Sequence, residues 1–89
     1  MSEDVRHKWA VGQYVEIYSV VYVVHWLFGS GYALRNAGGI LQVKFAEEHF
    51  MFKAHPAREA LCRFQMGLLS EAELDEIESH YGVACEVVY

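Results

Sequence analysis

The stretch from Gln13 to Phe28 constrains the fold of this chain more than any other part of the sequence. Eleven of its sixteen residues are Val, Ile, Tyr, Trp or Phe, side chains that suit a pleated, half-buried surface and fit poorly along a helix. The stretch therefore predicts sheet. Because sixteen residues exceed the usual length of one strand, we expect a bend or bulge near Ser19, or the arm of a long twisted hairpin.

Glycine-containing turns divide the following part of the chain. Residues 29–31 and 36–39 predict two chain reversals. Short strands are predicted around them, although the periodicity across 40–54 also fits a helix. The predicted strands are Tyr32–Arg35, Ile40–Ala46, His49–Ala54 and, near the C-terminus, Val83–Tyr89, while Ser2–Trp9 is predicted as a short helix or an irregular lead-in.

Two helices are predicted in the last third of the chain. Ser70 and Glu73 have the spacing of a capping box, which satisfies two backbone N–H groups at a helix start, and Gly82 is a suitable stop. Pro56 fits the first turn of a preceding helix that ends before Gly67. The two helices would follow each other as a hairpin.

Length and composition limit these elements to one domain. Eighty-nine residues, of which 54% are hydrophobic, are too few for two independent cores and too apolar for a disordered chain. We predict an α+β fold over residues 1–89. It consists of a twisted antiparallel sheet of about four to five strands packed with a C-terminal two-helix layer.

The acidic charge is concentrated at one end of the chain. Residues 1–68 carry six Asp or Glu and seven Lys or Arg, whereas residues 69–89 carry six Asp or Glu and no Lys or Arg. The formal net charge of −5 disfavours direct nucleic acid binding, which needs a basic surface. Two interpretations of the second helix stay open, a solvated face or a site for a basic partner. Its acidic residues are Glu71, Glu73, Asp75, Glu76 and Glu78.

Aromatic residues recur every four positions in the first half: Tyr14, Tyr18, Tyr22 and Trp26. On one continuous strand this spacing places all four side chains on one face. Such a face offers the rigid, amphipathic contact area that protein interfaces favour. The alternative is that these residues form core beneath the helices.

Side chains that could catalyse a reaction or bind a metal do not converge in the sequence. On a strand only Glu47 and His49 would share a face, which is fewer ligands than zinc requires. The densest set of such residues is Glu47, Glu48, His49 and His55. Cys62 and Cys85 are predicted as small buried side chains, with a disulfide between them as the alternative. We therefore expect no metal, no cofactor and no enzymatic activity.

The uncharged stretch Ile17–Leu34 could also be considered as a membrane span. It contains Ser19, His25 and a Gly-Ser-Gly turn, and basic clusters do not flank it, so buried strands explain it better. Two cysteines are too few for a disulfide scaffold, and the sequence shows no targeting leader. We expect a cytoplasmic protein with reduced thiols and no membrane partner.

Residues 26–56 resemble the second polo box of polo-type kinases. The resemblance is carried by Trp26, the run Gly39-Ile40-Leu41-Gln42-Val43-Lys44-Phe45, the pair Glu48-His49, and Pro56. It implies an antiparallel sheet packed by a C-terminal helix, in a non-catalytic module that docks proteins or dimerises. The family's phosphopeptide site pairs a His with a Lys two residues later. Here His49 matches but Met51 replaces the Lys, so phosphate recognition is not implied.

These observations favour a non-enzymatic protein-protein interaction module. It would bind a partner, or a second copy as a homodimer, through the aromatic sheet face. The alternative is a small acidic inhibitor, of the phage anti-defence or immunity type, that blocks a nucleic-acid-handling enzyme with its acidic helix. An enzyme that uses Glu47 and His49 is a third hypothesis.

Overall fold

The computed structural model describes residues 7–81, which form a five-stranded antiparallel sheet followed by two helices. The predicted α+β class is thereby confirmed. The strands lie in the order β4-β3-β2-β1-β5 across the sheet. The elements in chain order are β1 (Tyr14–Ile17), β2 (Val20–Phe28), β3 (Gly31–Asn36), β4 (Gly39–Lys44), a 3₁₀ helix (Phe45–Phe50), β5 (Phe52–Lys53), α1 (Pro56–Gln65) and α2 (Glu71–Tyr81).

The long β-rich stretch is a hairpin, and its turn lies at the predicted position. Tyr18 and Ser19 connect β1 to β2 and both have positive φ, 54° and 67°. Two central residues with positive φ are typical of a type I′ turn, whose twist matches that of paired strands. The register between β2 and β3 then shifts between Val24 and Trp26, so that His25 is the extra residue of a bulge.

The main core lies on one face of the sheet, which we call the core-side face. It carries Val15, Ile17, Val24, Tyr32 and Leu34, each at most 1% exposed. Two segments outside the sheet cover it, one through Trp9 and the other through Met51. Most of the apolar burial that stabilises this domain therefore comes from one sheet face and its two covering segments.

A buried phenol joins both covering segments to the sheet. The Tyr32 hydroxyl donates to the Glu48 carboxylate of the 3₁₀ helix, and it accepts hydrogen bonds from the backbone N–H groups of Lys8, at 2.9 Å, and Trp9, at 3.3 Å. The His7 ring adds hydrogen bonds from Nε2 to backbone carbonyls at both ends of the β2–β3 turn. These contacts hold residues 7–9 against the core-side face of the sheet, where Trp9 packs in the main core.

The predicted strand His49–Ala54 is wrong over most of its length. Residues 45–50 form the 3₁₀ helix, and only Phe52–Lys53 pair as β5. The helical alternative across 40–54 is also wrong for β4. The hydrogen bond between Glu48 and Tyr32 joins this segment to β3. Local hydrophobic periodicity cannot predict such a contact between residues far apart in the sequence.

The first predicted helix is confirmed as α1, with Pro56 at its start. His55 caps it, since its Nδ1 accepts a hydrogen bond from the N–H of Ala57 at 3.1 Å. Small side chains let α1 lie close to the sheet on the face opposite the main core, where Cys62 contacts Val21. Near the start of the helix, Arg58 forms an ion pair of 2.7 Å with Glu16 of β1.

The second predicted helix is confirmed as α2, together with its capping box. Ser70 Oγ accepts from the Glu73 N–H at 3.1 Å, and Glu73 Oε1 accepts from the Ser70 N–H at 2.9 Å. α2 packs chiefly against α1 and buries Leu74. The predicted stop at Gly82 and the predicted strand Val83–Tyr89 lie outside the described residues.

Candidate interaction surface

The structure separates the predicted aromatic row onto both faces of the sheet. β1 pairs with β2 so that Tyr14 lies opposite Val23 and Val15 lies opposite Tyr22. Residues that lie opposite each other share a face, so Tyr14 and Tyr22 point to opposite faces. The prediction that all four aromatics share one face is therefore wrong, because the two-residue turn reverses the alternation between the strands.

Tyr14 and Tyr22 are partly buried in two different clusters. Tyr22 packs against the main core, and Tyr14 packs beneath α1 against the cluster of Val21, Ala54 and Cys62. Burial raises the pKa of the Tyr14 phenol, and the neighbouring Cys62 adds to this shift. Both tyrosines act as core at these positions.

Tyr18 lies at the hairpin turn and is 58% exposed. Its ring centroid is 5.7 Å from that of Phe50 at the end of the 3₁₀ helix. This aromatic pair stands beyond the end of the sheet and belongs to neither face.

Trp26 is the one member of the row that lies on an open sheet surface. Because His25 is an extra residue in β2, Trp26 lies opposite Ala33 of β3 and points to the same face of the sheet as α1. Phe28 and Ile40 lie on the same face, and Trp26, Phe28 and Ile40 are 60%, 38% and 62% exposed. We call these three residues the apolar patch. Trp26 and Phe28 lie on β2 and Ile40 lies on β4, with Ala33 and Arg35 of β3 between the two strands. Exposed apolar side chains on one sheet face can mark an interaction site.

Two basic side chains border the apolar patch. Arg35 lies between Val23 and Ile40 across the strands, and Lys44 follows Gln42 on the same face of β4. Both are exposed, and within residues 7–81 neither forms an ion pair. The register places no Asp or Glu on this face of β2, β3 or β4. The surface is therefore apolar with a positive border.

Sequence reasoning missed Phe28, Ile40, Arg35 and Lys44. The alternation along β4 contained a signal for two of them, because Leu41 and Val43 face the main core and so direct Ile40 and Lys44 to the other side. The sequence does not show which sheet face α1 covers, because that depends on tertiary packing.

The acidic helix presents its carboxylates to solvent as predicted for a solvated face. Glu71, Glu73, Asp75 and Glu76 are exposed and Glu78 is half-buried. The hydrogen bonds to Ser70 hold the pKa of the Glu73 carboxyl below its ordinary value. No α2 carboxylate has an ion-pair partner within the described part of the chain. The same geometry is compatible with the second interpretation, a site for a basic partner.

The His and Glu residues considered for metal binding have separate structural roles. Glu47 accepts a hydrogen bond from the Lys44 N–H at 3.3 Å, Glu48 contacts Tyr32, and His55 caps α1. Within residues 7–81 no three His, Cys, Asp or Glu side chains are grouped so that they could hold a metal ion. The ring of His49 instead lies against that of Phe50, with centroids 4.0 Å apart.

Cys62 is buried between α1 and the sheet, as predicted. Burial raises the pKa of its thiol, and the carboxylate of Glu59 raises it further. The thiol donates weakly to the Val21 carbonyl at 3.6 Å. A thiol with a raised pKa carries little thiolate at neutral pH and is a poor nucleophile. Cys85, the predicted disulfide partner in the alternative, lies outside the described residues.

A cleft of about 390 Å³ lies between α1 and α2. Its apolar floor includes Ala60, Ile77 and Tyr81, with Arg63 and Glu76 among its polar side chains. No helix among residues 7–81 is long and apolar enough to cross a membrane.

No family model, curated protein or solved structure matches this chain. The resemblance to a polo box therefore stays a prediction.

Proposed function

We propose that this chain is a non-enzymatic protein-binding module whose apolar patch, with its basic border, binds an acidic and apolar segment of a partner protein. The observation that carries the proposal is the exposure of Trp26 and Phe28 on β2 and of Ile40 on β4, all on the same face of the sheet. Aromatic and aliphatic anchors surrounded by a polar rim are typical of binding hot spots.

Charge supports the choice of an acidic partner. Arg35 and Lys44 border the patch and lack ion-pair partners within residues 7–81. An acidic segment would pair with both while its apolar side chains cover Trp26, so attraction would both speed association and reject basic segments.

Selection from a random peptide library displayed on phage tests this proposal. Peptides enriched on the wild-type protein should combine Asp or Glu with large apolar side chains. The double variant Trp26→Ser, Ile40→Ser should weaken their binding at least about tenfold, the factor equivalent to about 1.4 kcal/mol. The control variant Phe52→Ser, Leu68→Ser removes two apolar side chains of similar exposure, 65% and 59%, away from the patch.

Charge reversal gives the sharper result. The variant Arg35→Glu, Lys44→Glu should enrich basic peptides in place of acidic ones. If both selections yield the same peptides, or if the patch variant and the control variant bind them equally well, the proposal is wrong.

The exposed carboxylates of α2 favour a second candidate, the small acidic inhibitor. α2 is attached chiefly through α1, so its acidic face could enter a basic groove that normally holds phosphates. The wild-type protein should then inhibit one or more of a panel of purified nucleases. Asp75→Lys, Glu76→Lys should abolish this inhibition and leave the capping pair at Ser70 and Glu73 intact. Inhibition that persists in the variant, or that rising salt does not weaken, would exclude this candidate.

A further inference from the structure

Within residues 7–81, β4 is an edge strand of the sheet, paired only with β3. β5, the strand at the other edge, has only two residues and leads directly into α1, whereas β4 has six residues without proline. The only charge on β4 is Lys44, at its end. Long edge strands without proline or central charge are templates for pairing with another strand, and proteins usually protect them.

The hairpin register shows which backbone groups of β4 face outward. Asn36 pairs with Gly39 at the turn, and such a closing pair exchanges hydrogen bonds. Gly39, Leu41 and Val43 therefore bond to β3, while Ile40, Gln42 and Lys44 direct their N–H and C=O groups away from the sheet.

Two observed hydrogen bonds agree with this assignment. The N–H of Phe45, the next odd-numbered residue, donates to the Ser30 carbonyl at 2.9 Å, toward β3. The Lys44 N–H is outward, and the side chain of Glu47 covers it at 3.3 Å. Glu47 thus closes one end of the edge, and among the described residues the outward groups of Ile40 and Gln42 face no other strand.

We propose that β4 pairs antiparallel with β4 of a second copy, with the two-fold axis at Leu41, to form a continuous ten-stranded sheet. In this register Ile40 of each copy exchanges two backbone hydrogen bonds with Gln42 of the other. The register leaves Glu47 on Lys44. A register centred on Gln42 would break that contact, because it needs the Lys44 N–H for pairing.

Side-chain chemistry supports a second copy as the occupant. The axis places the two Leu41 side chains directly opposite each other beside the main core. The two Ile40 side chains become diagonal neighbours within reach across the strands, which covers a side chain that is 62% exposed. Antiparallel pairing separates the two Lys44 side chains by about six residues, or roughly 20 Å, so that salt screens their repulsion.

The dimer would place two apolar patches on one face of one sheet. Ile40 belongs to both surfaces, but the pairing depends on the backbone of β4 and not on what binds Trp26 and Phe28, so either proposal can fail alone. Trp26→Ser should leave the dimer unchanged, because Trp26 lies on β2, two strands away from the edge.

Sedimentation of the full chain over a range of concentrations tests the proposal. The wild-type protein should change from monomer to dimer as concentration rises. Gln42→Pro removes one outward N–H that the pairing needs and should weaken association at least about tenfold. Ile40→Lys places a charge on the edge and serves as a second variant if Gln42→Pro does not fold. Phe52→Lys, on the opposite edge strand, is its control.

Cross-linking tests the register. In a Cys85→Ser background, Leu41→Cys should form a disulfide-linked dimer under mild oxidation, because non-hydrogen-bonded antiparallel pairs bring opposing residues to about 4.5 Å between Cα atoms. Gln42→Cys should cross-link much less. A wild-type protein that stays monomeric, a dimer unaffected by Gln42→Pro and Ile40→Lys, or equal cross-linking at both positions would overturn the proposal. Protection of the Ile40 and Gln42 amides from hydrogen exchange in the dilute monomer would also overturn it, since another segment would then cover the edge.

Discussion

Replacing Tyr32 with Phe removes a single oxygen atom that holds three parts of the molecule together. The hydroxyl donates to Glu48 and accepts from the N–H groups of Lys8 and Trp9. Phenylalanine fills the same space, so Tyr32→Phe creates almost no cavity. The variant therefore isolates the hydrogen-bond network from the packing of a ring that is 0% exposed.

The cost follows from the groups that lose their partners. The Lys8 N–H keeps a second acceptor, Glu48 Oε2 at 3.2 Å, whereas the buried Trp9 N–H loses its partner. A lost hydrogen bond to a charged group contributes about 1.5–3 kcal/mol, and an orphaned buried donor costs about 1–3 kcal/mol. Since these effects overlap, we expect Tyr32→Phe to lower the free energy of unfolding by about 2–4 kcal/mol, which corresponds to a fall in Tm of roughly 10–25 °C for a domain of this size.

Urea unfolding followed by circular dichroism measures this loss, with Tyr18→Phe as the control. Tyr18 is exposed at the hairpin turn, and its hydroxyl has no hydrogen-bond partner within residues 7–81, so Tyr18→Phe should change stability by less than about 0.5 kcal/mol. A double-mutant cycle with Glu48→Gln should give a coupling energy of about 1–2 kcal/mol. If Tyr32→Phe matches the wild type, or if the two substitutions are additive, the network does not stabilise the cover of the core.

Three further predictions concern the sheet, alkaline pH and α2. Gly31→Ala should destabilise the protein by about 1–3 kcal/mol or more, because a Cβ at this position would overlap the backbone of β4 and lie 2.8 Å from the Cα atom of Lys44. At Gly29 an added Cβ would meet nothing within 4 Å, so the control Gly29→Ala should be neutral in the same unfolding assay. Burial and the hydrogen bond to Glu48 raise the pKa of Tyr32 from 10.0 to about 12, so the stability linked to this shift is fully present below pH 10 and is lost as the pH approaches 12, by about 1.4 kcal/mol per pH unit. The difference in unfolding free energy between wild type and Tyr32→Phe should therefore shrink from about pH 10 to about pH 12. A constant difference over this range would contradict the assignment. Ser70→Ala should lower the free energy of unfolding by about 0.5–2 kcal/mol and increase hydrogen exchange in the first turn of α2. Since the pKa of Glu73 is lowered in the folded protein, the stabilisation from its carboxylate is present above the ordinary Glu pKa and is lost as the pH falls through the lowered value.

The elements that the sequence predicted correctly are those whose signals are local. The hydroxyl and carboxylate of Ser70 and Glu73 bond to each other's backbone across one helical turn, and Pro56 fits a helix start wherever the helix then packs. Such contacts depend only on nearby residues, so their spacing in the sequence predicts them. The composition of residues 13–28 predicted strands for the same reason.

The aromatic face could not be predicted because it depends on counting alternations across a turn. The turn at Tyr18 and Ser19 lacks the Asn-Gly or Asp-Gly pair that marks most type I′ turns, although both residues have positive φ. Treating β1 and β2 as one strand assigns Tyr14 and Tyr22 to one face. With the turn in place, the same spacing assigns them to opposite faces, and the bulge at His25 then moves Trp26 back to the side of Tyr14.

The open surface itself follows from the number of elements available to cover the sheet. A helix about 10 Å wide covers about two strands spaced 4.8 Å apart, and α1 contacts the sheet mainly through β2, near Val21 and Tyr14. α2 could have covered the remaining strands only with a broad apolar face. Its buried side chain, Leu74, already packs in the layer with α1, and its acidic residues favour solvent. The acidity of α2 and the exposure of the apolar patch therefore have one cause in residues 7–81, because a second helix without a wide apolar face leaves Trp26, Phe28 and Ile40 uncovered.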